Sequence, residues 1–209
     1  MSNDEIVFVI NMRETIRVLL PCELDDIIRH DDVFALYTRD GVDMYTLFAY
    51  NVILEFLNML DGHLRSALLG NKKLYSSLQQ DLGYLWNEYL VGGSDRSKFE
   101  YKLSPEMRKY WVGKDFMVWC GQDVATWLYE KDGVFWLEIT PSYKWHFLEP
   151  APEESNYITY DEFIKNYKPH VMIELSIDIM KKWLRQTERL IAQVVFNDDK
   201  FVVKDDGMV

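Results

Sequence analysis

Positive charge, cysteine and long apolar runs are all scarce in this sequence, and each shortage removes a class of function. Lys and Arg number 23 against 34 Asp and Glu, a net charge of −11. That field repels a phosphate backbone, so nucleic acid is not the expected partner. It attracts a basic protein instead, most strongly at low salt. Cys22 and Cys120 lie far apart with no CxxC or Cys/His spacing, which supports neither a disulfide framework nor a zinc site. Both are read as reduced, buried thiols. No apolar stretch reaches the roughly 18 residues of a membrane span, because Glu55 interrupts the run from Val52 to Leu60. Met1 to Glu5 is polar and acidic where a secretory signal needs basic residues ahead of an apolar segment. The expectation is a cytoplasmic protein without membrane contact.

Also missing are a glycine-rich phosphate loop, a nucleophile elbow, HExxH, a kinase signature and a dinucleotide fingerprint. No cofactor is expected. With 209 residues and nearly half of them apolar, the chain suits one domain, 1–209, whose acidic end frays from about residue 198.

The pattern of apolar residues predicts an α+β fold: an antiparallel sheet of about five or six strands with two main helices packed on it. Glu5 to Asn11 and Thr15 to Leu20 read as strands, as do Val33 to Tyr37 and Met44 to Phe48 on either side of a turn at Thr38-Arg39-Asp40-Gly41. Cys22 to His30 reads as a short helix. Ile53, Phe56, Leu57, Leu60, Leu64 and Leu68 put one apolar face on a helix that stops at Gly70-Asn71. Leu74 to Leu85 suits a helical turn that Gly83, Gly92 and Gly93 interrupt, with a surface loop at 92–97.

Turn signals at Gly121-Gln122 and Asp132-Gly133 pin a three-stranded meander over 114–140. In that register Met117, Trp119, Val124, Thr126, Leu128, Phe135, Leu137 and Ile139 share one face, and Phe116, Val118, Trp127, Tyr129 and Trp136 share the other. Both faces are apolar, so each is covered by structure or is an interaction surface. An acidic Pro-rich loop at 149–156 follows, then a helix from Thr159, which stands in capping-box spacing with Glu162. A long helix is expected from Pro169, with Ile173, Ile177, Met180, Leu184, Ile191 and Val194 on its buried stripe.

Three constellations carry candidate chemistry. Asp26 and His30, four apart on the expected short helix, could turn a carboxylate and an imidazole toward a divalent metal; the alternative is a solvated acidic helix end. Glu138 falls on the face of Trp127 and Trp136, where a carboxyl beside indoles gains a raised pKa suited to acid/base work; its nearness to Pro141 equally suits a solvated rim. Trp127, Tyr129, Trp136 and Trp145 belong to an aromatic-rich stretch able to anchor a protein partner or to fill the core.

The segments DGVFWLEITP (132–141) and YDEFIKNYKPHVMIELSIDIMKKWLRQTERL (160–190) resemble uncharacterised bacterial immunity-type proteins of contact-dependent or polymorphic toxin systems. The resemblance covers about a third of the chain and rests on strand and helix patterns. It implies a cytoplasmic, acidic, non-enzymatic protein that binds and neutralises a cognate toxin. The alternatives are a small hydrolytic enzyme working beside Glu138, and a structural subunit that self-associates through its second sheet face.

Overall fold

The computed structural model describes residues 4–74, 78, 81–91, 100–101, 110–146 and 156–205. The loop expected at 92–97 lies outside them, as does the loop expected at 149–156 apart from Asn156. By contacts the chain divides into two units, Met1–Asn71 with Leu175–Val209, and Lys72–Glu174. The architecture is antiparallel α+β, with helices packed on sheets. Among the described residues the strands are shared between two four-stranded sheets and a two-stranded ribbon.

In the first unit, β1 (Glu5–Val9), β2 (Glu14–Leu19), β3 (Asp32–Arg39) and β4 (Val42–Val52) form a meander in chain order, and α1 (Ile53–Leu68) and α5 (Ile177–Asp205) pack together. Alternation builds the buried face: Ile6, Phe8, Ile16, Val18, Val33, Ala35 and Tyr37 all point inward. Asp40 and Gly41 both take positive φ, 52° and 78°, the pairing that a two-residue hairpin turn requires.

Cys22 to His30 is not a helix but a run of turns. Its backbone groups are met by side chains from elsewhere: Asp4 accepts from the Leu24 amide at 3.2 Å, Asp31 from the Ile28 amide at 2.8 Å, and Asn197 donates to the Leu24 and Ile27 carbonyls. These partners replace the helical ladder that the spacing predicts.

The second unit contains α2 (Leu82–Val91), the ribbon of β5 (Glu100–Tyr101) and β6 (Tyr110–Trp111), and α3 (Val112–Phe116). The expected meander follows as β7 (Met117–Cys120), β8 (Val124–Lys131) and β9 (Val134–Pro141), and then α4 (Tyr160–Lys165) and β10 (Val171–Leu175). The sheet order is β10-β9-β8-β7. The Gly121 amide donates to the Val124 carbonyl at 2.8 Å, which makes Gln122-Asp123 the turn, one residue beyond the expected pair. An irregularity between Met117 and Trp119 pairs Met117 with Trp127 and Trp119 with Thr126, so these two residues fall on opposite faces.

The long helix starts eight residues later than expected. Val171, Ile173 and Leu175 are buried while Met172 and Glu174 are exposed, a strand alternation. The Ser176 hydroxyl accepts from the Ile179 amide at 3.2 Å and opens α5. The inward stripe of α5 is Met180, Trp183, Thr187, Leu190, Val194 and Asn197, whereas Ile177 is half exposed. The helix continues past residue 198 to Asp205. Trp183 donates to the Val9 carbonyl at 2.9 Å and meets Phe8 edge-on at 5.8 Å, tying α5 to the edge strand β1.

Candidate functional site

Asp132 and Gly133 adopt φ of 55° and 81°, the conformation of a tight hairpin turn. That turn aligns Tyr129 with Trp136 and Trp127 with Glu138. Period-two alternation then brings all four side chains to one face, as the sequence predicts. Helix α2 covers the face: Leu82 and Leu85 pack with Phe116, Met117, Ala125, Trp127 and Tyr129, and Trp86 and Trp136 close the margin. Trp127 is fully buried, donates to the Thr140 hydroxyl at 2.8 Å and lies edge-on to Trp86 at 6.5 Å. Trp127 and Tyr129 are therefore core residues rather than surface anchors. Trp136 and Trp145 are half-buried.

Gly83 does not interrupt α2; it lets the helix approach β9. A Cβ there would lie 2.3 Å from both the Thr140 and Tyr167 hydroxyl oxygens. One turn on, the buried Asn87 donates to the Gly83 and Pro141 carbonyls at 2.7 and 2.8 Å and accepts from the Tyr143 amide at 2.6 Å. This clasp joins α2 to the end of β9.

Beside the helix lies a cavity of about 1050 Å³, lined in part by Lys73, Leu78, Asp81, Tyr129, Lys131 and Glu138. Glu138 is only 3% exposed, so it is not a solvated rim carboxylate. Its Oε2 accepts a 2.6 Å hydrogen bond from the Tyr129 hydroxyl. Burial pushes the Glu138 carboxyl up to about 6; the Asp81 charge adds to the rise, and the Tyr129 bond and Lys131 oppose it. Burial and the neighbouring carboxylate hold the Tyr129 phenol well above its ordinary value. A carboxyl with this pKa can exchange a proton near neutrality or hold a cation.

One wall comes from an unexpected pairing. Residues 72–74 add to β8: Leu74 donates to the Glu130 carbonyl and Glu130 to the Lys72 carbonyl, each at 2.7 Å. Lys72 is itself buried, donates to the Asp115 carbonyl, and is lowered by burial to about 8. Asp81, Lys73 and this pairing had no local signal in the sequence, because each depends on contacts between distant segments.

A second constellation surrounds the 3-10 turn Lys144–His146 and α4. The Tyr143 ring contacts Trp145 at 5.7 Å, Tyr160 at 5.4 Å and Phe163 at 5.3 Å, and Trp145 meets Tyr157 edge-on at 5.3 Å. The Lys144 ammonium sits 4.3 Å from the Trp145 ring centroid. The expected capping box starts α4, with Thr159 accepting from the Glu162 amide and Glu162 from the Thr159 amide. Tyr143 is buried, whereas Tyr157 and Ile158 are exposed.

Asp26 and His30 are exposed on turns, so the shared helical face that argued for a metal site is absent. Both cysteines are free, but Cys120 is exposed and Cys22 half-buried, contrary to the expectation of buried thiols. Cys120 ends β7 beside the turn, at the exposed end of the strand. No helix among the described residues is long and apolar enough to cross a membrane.

No family model, curated protein or solved structure matches the chain.

Proposed function

We propose that this chain is a non-enzymatic protein-binding module that docks a basic partner on the ring cluster of Trp145, Tyr157 and Tyr160 with the neighbouring Ile158, in the manner of an immunity protein neutralising a toxin. The observation that carries this reading is the exposed edge of Tyr157 and Ile158, backed by the buried Tyr143 and the half-buried Trp145. Rings held by other rings lose little conformational freedom on binding, and such aromatics dominate interface hot spots. The net charge of −11, with Asp161 and Glu162 next to the cluster, favours a basic partner through steering.

The test is capture from the native lysate at low and high salt, run in parallel with wild type and the Trp145→Ala/Tyr157→Ala variant. A basic protein held by wild type at low salt and reduced at least tenfold by the variant supports the reading. A partner held equally by both rejects the ring cluster as its seat, and recovery of the chain alone points to self-association.

A further inference from the structure

A carboxylate withdrawn from water is costly unless each oxygen finds a partner. Glu138 meets this condition at one oxygen and leaves the other open to the cavity. Tyr129 donates to Oε2, and among the described residues Oε1 takes part in no hydrogen bond or ion pair. Lys73 and Lys131 line the same cavity, yet neither forms an ion pair with Glu138.

Three further observations narrow what could complete the site. Asp81, Glu130 and Asp132 also line the cavity, so carboxylates outnumber the two lysines and an anionic ligand is disfavoured. Among the described residues no group of three His, Cys, Asp or Glu side chains could hold a metal ion, and a hard cation needs several such oxygens. An ammonium group needs only one carboxylate. The rest of the wall, with Leu78, Leu82 and Met172, is apolar, and the volume of about 1050 Å³ suits an organic molecule rather than a bare ion.

We infer that the Glu138 cavity binds a small organic amine, its ammonium group paired with Glu138 Oε1 and its hydrocarbon body against Leu78, Leu82 and Met172. Tyr129 is then a positioning residue: by holding Oε2 it aims the other oxygen into the cavity. The site shares no residue with the ring cluster, so it stands or falls independently of the protein-docking reading.

The test is titration calorimetry of the full chain with n-alkylamines from propylamine to decylamine, with hexanol and hexanoate as matched neutral and anionic probes. Saturable binding of hexylamine is expected, at least tenfold tighter than hexanol and tighter still than hexanoate. Glu138→Gln, which keeps an acceptor for Tyr129, should weaken hexylamine at least tenfold with an unchanged circular dichroism spectrum. Met172→Trp, which fills the wall and leaves the carboxylate intact, should weaken it comparably and serves if Glu138→Gln does not fold. The inference is overturned by hexanoate binding as tightly as hexylamine, by full affinity in the variant that folds, or by no saturable binding across the amine series.

Discussion

Tyr129 and Glu138 meet diagonally across the β8–β9 pair, the phenol donating a 2.6 Å hydrogen bond to a carboxylate that is 3% exposed. Aligned instead with Trp136 and Trp127 in the ladder, they come together because alternate residues share a face. The bond favours the ionised carboxylate and burial favours the neutral acid; burial wins, with Glu138 at about 6.

This balance makes stability depend on pH. The folded-state value lies above the ordinary 4.5, so the native state holds the proton more tightly than the unfolded chain. The contribution is complete below pH 4.5 and is lost as pH rises through 6, a change of about 2 kcal/mol. Urea unfolding of wild type and Glu138→Gln across pH 4 to 8 should show the variant gaining about that much relative to wild type over this window. A constant difference would show that Glu138 titrates alike in both states.

Gly83→Ala should destabilise the protein by about 2 kcal/mol or more, as overpacking does. Helix propensity alone predicts the opposite sign, a gain of up to about 1 kcal/mol. The added methyl would lie 2.5 Å from the Thr140 Cβ as well as 2.3 Å from its hydroxyl, and Thr140 is buried and β-branched, so it cannot swing aside. The sign of the change in denaturation midpoint decides between the two effects.

Asn87→Leu preserves much of the volume and removes all three hydrogen bonds of the clasp. The Pro141 carbonyl and the Tyr143 amide then lose their hydrogen bonds to the Asn87 side chain, a cost of about 3 kcal/mol. Asn87→Asp keeps an acceptor for Tyr143 but cannot donate to Gly83 or Pro141, and it should be no better. Hydrogen exchange should show the Tyr143 amide losing protection in Asn87→Leu and retaining more of it in Asn87→Asp.

What could be read in the sequence was local. Asp132-Gly133, the alternation through Trp127 and Glu138, and the Thr159–Glu162 box each lie within a few residues, and each appears in the structure as expected. Continuous periodicity misled where one element succeeded another: Ile173 fits a helical stripe with Ile177 and Met180, yet it belongs to β10, and Ser176 marks the change. The remaining misses are non-local. Nothing near Gly83 signals Thr140, nothing near Lys73 signals Glu130, and nothing near Cys22 signals Asn197. Trp127 was legible as a residue of the right face, but whether that face is surface or core depends on α2 crossing it.

The division of the chain also bears on its synthesis. Residues 72–174 are one continuous stretch, whereas the other unit combines Met1–Asn71 with Leu175–Val209. On the ribosome the β1–β4 sheet and α1 emerge first, but Trp183, which seals Phe8 and the Val9 carbonyl, emerges more than a hundred residues later. At roughly 5–20 residues per second the apolar face of that early sheet waits on the order of ten seconds for its last helix. During that interval the nascent chain, rather than the finished protein, is the form most exposed to aggregation and to chaperones.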